Sequence, residues 1–251
     1  AAYQYYRSNT YPASALTLAN YEYPEYSPSC SGVHRPSSSP SSRPSSSGSA
    51  GTTNDLKTLK GYRYNVKTPL NYQDTYAHPL LVVYAPSVSG RLMEKYVGLT
   101  HEATKAGFVI VYVDGQRMSL SSIAELGTVS SEVMKQWCID ETRVFLTGHS
   151  DGGTIATALA FLDDTPVRLA GIAPSAAGIT GKELLDYQCP APLSVMVMHN
   201  EGDTHFPGFG EKAAKWWASC NQCDESPVAM GITGACVKYE NCSSGVETLY
   251  C

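Results

Sequence analysis

Residues 143–153, RVFLTGHSDGG, decide the fold, because an apolar run there breaks at once into glycine, histidine and serine. The run contains the pattern G-x-S-x-G with Ser150 at its centre. That pattern is typical of a strand that turns sharply into a helix, with the central side chain exposed on a strained backbone. The helix-forming run TIATALAFL follows at residues 154–162. We therefore predict Ser150 as a nucleophile, with a chance match in a glycine-rich loop as the alternative.

Continuous apolar runs alternate with segments of helical spacing along most of the chain. The runs that predict buried strands are LLVVY at 80–84, FVIVYV at 108–113, the run before Ser150, 169–173 and VMVM at 195–198. The predicted helices are 92–106, 123–137, 154–162, 182–185 and 206–217, and residues 62–66 alternate as in an edge strand. Continuous apolar strands belong to parallel sheets that are buried on both faces. The sequence therefore predicts an α/β protein with a mostly parallel central sheet and helices on both faces.

Composition favours a globular chain and excludes two classes of partner. The 251 residues are 43% hydrophobic and 16% charged, with a net charge of −5 and no block of lysine or arginine. We therefore expect no nucleic-acid partner. No apolar run approaches the roughly 18 residues that cross a bilayer, so no membrane span is expected. The start at Ala1, without a methionine or an apolar leader, favours a secreted protein whose signal peptide has been removed.

Eight cysteines point to an extracellular, oxidising environment. Five of them fall in residues 220–251, which predicts a C-terminal part held together by disulfides, although the spacing leaves their pairing open. The alternative for Cys220 and Cys223 is a C-x-x-C zinc or redox site. We favour disulfides because no second pair follows at zinc-ribbon spacing. No metal and no cofactor are predicted.

Three regions are distinguished by composition. Residues 1–34 form a tyrosine-rich N-terminal arm, for which we consider a polymer-binding platform, a loosely ordered arm packed on the main domain, or no order. Residues 35–54 form a Ser/Pro-rich linker, with nine serines and three prolines between 36 and 49. Residues 55–251 form the main domain.

Six segments, in chain order, resemble a known group of enzymes: PLLVVYAP, GFVIVYVDG, RVFLTGHSDGG, APSAAG, CPAPLSVMVMHNEGDTHFPG and WWASCNQC. Together they resemble the secreted α/β-hydrolase esterases of the polyhydroxybutyrate depolymerase and feruloyl esterase type, from about residue 61 to the end. The resemblance implies an α/β-hydrolase fold and hydrolysis of carboxylic esters, of polymeric or plant-wall origin, through an acyl-enzyme on Ser150. It also implies Asp203 as the acid of a Ser-Asp-His triad.

The chemistry of a serine nucleophile agrees with these roles. A serine hydroxyl needs a base to take its proton, and an imidazole base needs a carboxylate to orient it. Asp203 follows a predicted core strand, as the acid does in this fold. Glu201 is the competing acid, and the alternative for Asp203 is a solvated loop aspartate or a helix cap.

The histidine is the element that the sequence does not supply at the expected place. The resemblance implies a histidine in a loop beyond VETLYC, and the chain ends at Cys251, so we expect the domain to lack its C-terminal end. His205 is the one histidine that follows Asp203, and it is the weaker candidate because it shares the acid's own loop. His199 is expected to be a structural hydrogen-bonding residue, and His149 is expected to point into the fold.

An oxyanion pocket needs two backbone N–H donors. The first expected donor is Asp151, directly after the nucleophile. The second lies after the strand at 80–84, where relatives have His-Gly and this chain has Ala85 and Pro86. Proline has no N–H, so Ser87 or Val88 is predicted to donate instead. Two other functions stay open: a non-catalytic binding protein on a hydrolase scaffold, and a serine peptidase of the same fold.

Overall fold

The computed structural model describes residue 30 and residues 51–161, 167–231 and 235–251. One ten-stranded sheet runs through it in the order β1-β2-β4-β3-β5-β6-β7-β10-β9-β8. The strands are β1 Thr52–Lys57, β2 Arg63–Lys67, β3 His78–Tyr84, β4 Val109–Val113, β5 Ile139–His149, β6 Gly171–Ser175, β7 Ser194–Val197, β8 Val228–Met230, β9 Cys236–Tyr239 and β10 Thr248–Tyr250. The stretch from β4 to β10 is parallel, and an antiparallel pair flanks it on each side.

Seven described helices pack against this sheet. They are α1 Gly90–Val97, α2 Thr100–Lys105, α3 Leu120–Gly127, α4 Val129–Met134, α5 Asp151–Leu159, α6 Gly181–Leu184 and α7 Phe209–Cys220, with a short 3-10 turn at Ser243–Gly245. None of these helices has the length and apolar character needed to cross a membrane. The predicted α/β architecture, with a mostly parallel sheet and helices on both faces, is confirmed.

Several predicted elements differ in detail from the structure. The helix predicted at 92–106 is two helices, because Gly98 adopts a left-handed conformation with φ 64° and caps α1. The helix predicted at 123–137 is likewise divided into α3 and α4. Residues 62–66 correspond to β2, which is not an edge strand because β1 pairs along its outer side. Strands β8 to β10 were not predicted, since three or four residues of mixed polarity carry no clear period.

The two faces of the sheet are covered unequally. On one face, α3 to α7 bury the larger core, which includes Val82, Leu146 and Val195. On the other face, α1 and α2 cover β3 and β4, where Val83 and Ile110 are buried. Farther along that second face, several side chains on β5, β6, β7 and β10 are only half-buried: Phe145, Ala173, Met196 and Leu249.

All eight cysteines form disulfides. The pairs are Cys30–Cys138, Cys189–Cys220, Cys223–Cys242 and Cys236–Cys251. Cys220 and Cys223 have different partners, so the alternative of a C-x-x-C metal or redox site is wrong. Cys30 joins the predicted arm to the start of β5, and the rest of residues 1–50 lies outside the described part of the chain. Strand β1 begins at Thr52, inside the segment predicted as linker.

Candidate active site

Ser150 lies at a sharp turn between β5 and α5. Its φ is 55° and its ψ is −118°, a strained conformation for a residue with a side chain. The Ser150 N–H donates to the carbonyl of Ser175 at 2.9 Å, and the Ser150 carbonyl accepts the N–H of Thr154 at 3.0 Å. The helix therefore begins at Asp151, three residues before the predicted start. Such a turn between strand and helix is the geometry of a nucleophile elbow.

Glycine is required beside this turn because other backbone passes through the space that a side chain would occupy. A Cβ at Gly152 would lie 2.0 Å from the carbonyl oxygen of Tyr84, at the end of β3. The elbow thus sits directly against the neighbouring strand. The half-buried Ser150 hydroxyl makes no hydrogen bond to any residue that the structure describes.

A concavity of about 440 Å³ lies on one side of the elbow. Its lining includes Asp151, the loop after β3 at Ser87, Val88 and Ser89, and residues 114–118 after β4. The Val88 N–H already donates to the Pro86 carbonyl at 2.5 Å. Within the described residues, the N–H groups of Ser87 and Asp151 have no hydrogen-bond partner. Of the two alternatives for the second donor, Ser87 is the one whose N–H is unused.

A second concavity, of about 480 Å³, contains the predicted acid. It is lined by His149, Ser175, Ala176, Met198, His199, Asn200, Asp203 and Cys251. Oδ1 of Asp203 accepts the N–H groups of His205 at 2.8 Å and of Phe206 at 3.0 Å. These backbone bonds, that of Phe206 foremost, hold the pKa of Asp203 below its usual range. Asp203 is therefore an ionised carboxylate that closes a turn. It is not the cap of α7, whose N-cap is Gly208.

The competing acid and the downstream histidine lie elsewhere. Glu201 is exposed and does not line the concavity that contains Asp203. The His205 side chain is also exposed, with its ring centroid 6.1 Å from that of Phe206. His205 contributes its backbone N–H to Asp203, and its imidazole does not line the concavity. The structure thus places Asp203 in one concavity with His149, the residue before Ser150, and leaves the imidazole of His205 outside that concavity.

His199 has the structural role expected of it. Its side chain is 2% exposed, and Nε2 lies 3.6 Å from Oδ2 of Asp203. Nε2 donates to the carbonyl of Phe206 at 2.9 Å, so this nitrogen carries a hydrogen and cannot accept a proton. A Cβ at Gly210 would lie 2.2 Å from the Cβ of His199, so α7 packs closely on this side chain.

His149 departs from expectation. The residue does not point into a closed core but is half-buried and lines the same concavity as Asp203. Its Nδ1 is 3.2 Å from the hydroxyl of Ser175, and its ring centroid is 5.7 Å from that of Tyr96. Strand alternation was the signal that could have placed it, because Phe145, Thr147 and His149 share the half-covered face of the sheet.

The strained serine between β5 and α5, together with an aspartate after β7 of a parallel sheet, defines the α/β-hydrolase class. Two solved structures share this fold with the chain. The acetyl xylan esterase from Aspergillus awamori aligns with a TM-score of 0.56 at 14% identity, over 80% of this chain and 92% of that chain. The lipase/esterase from Lactobacillus plantarum aligns with a TM-score of 0.50 at 12% identity, over 68% and 84%. The predicted α/β-hydrolase fold is confirmed.

At the sequence level, the chain is similar to feruloyl esterase B of Piromyces equi, with 26% identity. The match covers 74% of this chain and 40% of the relative, so the chain spans about two fifths of that relative's length. The predicted resemblance to feruloyl esterases is thereby confirmed. No protein-family model matches the chain.

Proposed function

We propose that this chain is the catalytic part of a serine esterase that hydrolyses carboxylic esters through an acyl-enzyme on Ser150. The observation that carries the proposal is the position of Ser150. Its hydroxyl is unpaired among the described residues and stands on a strained elbow. Its two chain neighbours line different concavities: Asp151, whose N–H is unused, lines the first, and His149 lines the second together with Asp203.

In the proposed reaction, the Ser150 oxygen attacks the ester carbonyl while an imidazole base takes the hydroxyl proton. The N–H groups of Asp151 and Ser87 stabilise the negative charge that develops on the carbonyl oxygen. The C–O bond to the alcohol then breaks, and the alcohol leaves with the proton from the imidazole. Water hydrolyses the acyl-enzyme by the same steps in reverse, and Asp203 orients the imidazole throughout. The proposal needs no metal and no cofactor.

We place the imidazole base at the carboxyl end of β10 rather than at His205. Strand β10 lies parallel to β7, which precedes Asp203, and Cys251 at its end lines the same concavity as Asp203. The His205 ring, by contrast, lies exposed against Phe206 on the acid's own loop.

The substrate class and the location of the protein follow from the relatives and the cysteines. We propose a plant-wall or other polymeric ester as the substrate, supported by similarity to a feruloyl esterase and by the fold shared with an acetyl xylan esterase. We propose secretion because four disulfides persist only in an oxidising compartment.

A fluorophosphonate probe tests the nucleophile. Its phosphorus bonds to the oxygen of an activated serine, fluoride leaves, and the serine proton passes to a base. We expect the probe to label the chain, and added imidazole to speed the labelling by supplying a base in solution. Labelling should vanish in Ser150→Ala and persist in Ser219→Ala, an exposed serine on α7. Labelling that survives in Ser150→Ala, or that is absent with and without imidazole, contradicts the proposal.

A second candidate function is a binding protein on a hydrolase scaffold. The observation that favours it is the absence, among the described residues, of an imidazole bonded to the Ser150 hydroxyl. This candidate predicts that the chain binds an ester without turnover and is not labelled at Ser150 under either condition. The labelling experiment therefore also separates the two functions.

A further inference from the structure

The loop between β3 and α1 forms a tight turn around Ser87. The Val88 N–H donates to the Pro86 carbonyl at 2.5 Å, a bond that spans three residues and makes Ser87 the central one. Pro86 has no N–H to offer. The turn therefore engages the N–H of Val88 and leaves that of Ser87 as the available donor on the wall shared with Asp151.

Gly115, just after the end of β4, holds this turn at Val88. The Gly115 N–H donates to the Val88 carbonyl at 2.8 Å. A Cβ at Gly115 would lie 1.5 Å from the Pro86 carbonyl oxygen and 2.9 Å from the Val88 nitrogen. These are the two atoms whose hydrogen bond closes the turn. Space alone therefore demands glycine at 115, because any side chain there would push the turn apart.

The end of β4 also holds both ends of the loop. At its start, the Ala85 N–H donates to the Val113 carbonyl at 3.2 Å. At its end, the loop reaches Gly90, the first residue of α1. The Gly90 N–H donates to Oδ1 of Asp114 at 2.6 Å. The Asp114 N–H is itself bonded to the Arg63 carbonyl of β2 at 2.9 Å. The loop is thus fixed at three points to one short segment of the neighbouring strand.

We propose that Asp114 and Gly115 are positioning residues that fix the Ser87 N–H as the second oxyanion donor. This inference rests on the proposed esterase function. It explains how a chain with Ala85 and Pro86 after β3 still presents a backbone donor there. The contacts that Asp114 and Gly115 make with this loop, here called the clamp, fix its backbone before a substrate binds. A donor that needs no rearrangement during the reaction stabilises the transition state most effectively.

The direct test is the amide signal of Ser87 in the ¹⁵N-labelled chain after reaction with the fluorophosphonate in the presence of imidazole. The phosphonyl oxygen takes the place of the oxyanion. In the wild-type chain, we expect the amide protons of both Ser87 and Asp151 to shift downfield. In Gly115→Ala, the Asp151 signal should still shift, and the Ser87 signal should not.

Rates of labelling and of ester turnover, both measured with added imidazole as the base, give the matching functional readout. Loss of one oxyanion donor costs about a hundredfold in rate, so Gly115→Ala should lower kcat by about that factor with little change in KM. Asp114→Ala should also lower kcat. Asp114→Asn should restore it, because the asparagine Oδ1 still accepts the Gly90 N–H. If Gly115→Ala does not fold, the comparison of Asp114→Ala with Asp114→Asn still tests the inference.

The outcomes separate this inference from the proposed function. If Ser150 is not labelled in the wild-type chain, the esterase proposal fails. If Ser150 is labelled but the Ser87 amide does not shift, the esterase stands and the inference is overturned. Equal kcat in folded Gly115→Ala and wild type, or equal loss in Asp114→Asn and Asp114→Ala, also overturns it.

Discussion

Two strands of the sheet look alike in sequence and differ in their surroundings. In β3, the adjacent residues Val82 and Val83 point to opposite faces and both have 0% exposure. In β7, Val197 is 3% exposed on the first face, and its neighbour Met196 is half-buried on the second. A continuous apolar run therefore marks a parallel strand, but it does not say that helices cover both of its faces.

The candidate site lies where these two halves of the sheet meet. Ser87 and its clamp at Asp114 and Gly115 belong to the side covered on both faces, whereas Asp203 follows β7 on the side covered on one. Three of the four disulfides, Cys189–Cys220, Cys223–Cys242 and Cys236–Cys251, also lie on that less covered side. We infer that cross-links there compensate for a smaller buried area.

Truncation of a core side chain should show the largest difference between the two halves of the sheet. Ile110 and Met196 lie on the same second face of the sheet, in β4 and β7. We expect Ile110→Ala to lower the free energy of unfolding by about 4 kcal/mol, because it leaves a cavity under α1 and α2. Met196→Ala should cost about 1 kcal/mol, since its side chain is already half in water. Urea unfolding measures both, and equal costs would contradict the difference in coverage.

Removal of the last disulfide should loosen only the less covered half. The bond Cys236–Cys251 closes a segment with a sequence separation of 15, and its loss should cost about 3 kcal/mol. In Cys236→Ser/Cys251→Ser, hydrogen exchange should quicken in β9 and β10 and stay slow in β3 and β4. The control Cys30→Ser/Cys138→Ser should leave exchange in β9 and β10 unchanged. A uniform rise in exchange rate across the sheet would contradict the inference that the disulfides compensate for a smaller buried area.

A third effect, dependent on pH, should arise in the half covered on both faces. His78 begins β3, and burial lowers the pKa of its imidazole from 6.5 to about 4. Between these values, the unfolded chain binds a proton that the folded chain does not. The free energy of unfolding should therefore fall as the pH drops through this window, by up to about 1.4 kcal/mol per pH unit.

The slope is measured by urea unfolding at several pH values between 4 and 6.5. His78→Gln removes the titrating group and should flatten the dependence. His101→Gln, at an exposed position on α2, should keep it. A slope that is unchanged in His78→Gln would show that the pH dependence originates elsewhere.

The amino-acid sequence by itself determined the α/β class, the strand-to-helix turn at Ser150 and the position of Asp203 after a core strand. These features depend on local rules: a two-residue period, helix propensity and the space that glycine leaves. The tertiary structure alone decided the cysteine pairs, the strands β8 to β10, the half-open face at His149 and the clamp of Gly115 on Pro86. Each of these features either joins residues that are distant in the chain or depends on what packs against a strand. Contacts of both kinds leave no local pattern in the sequence.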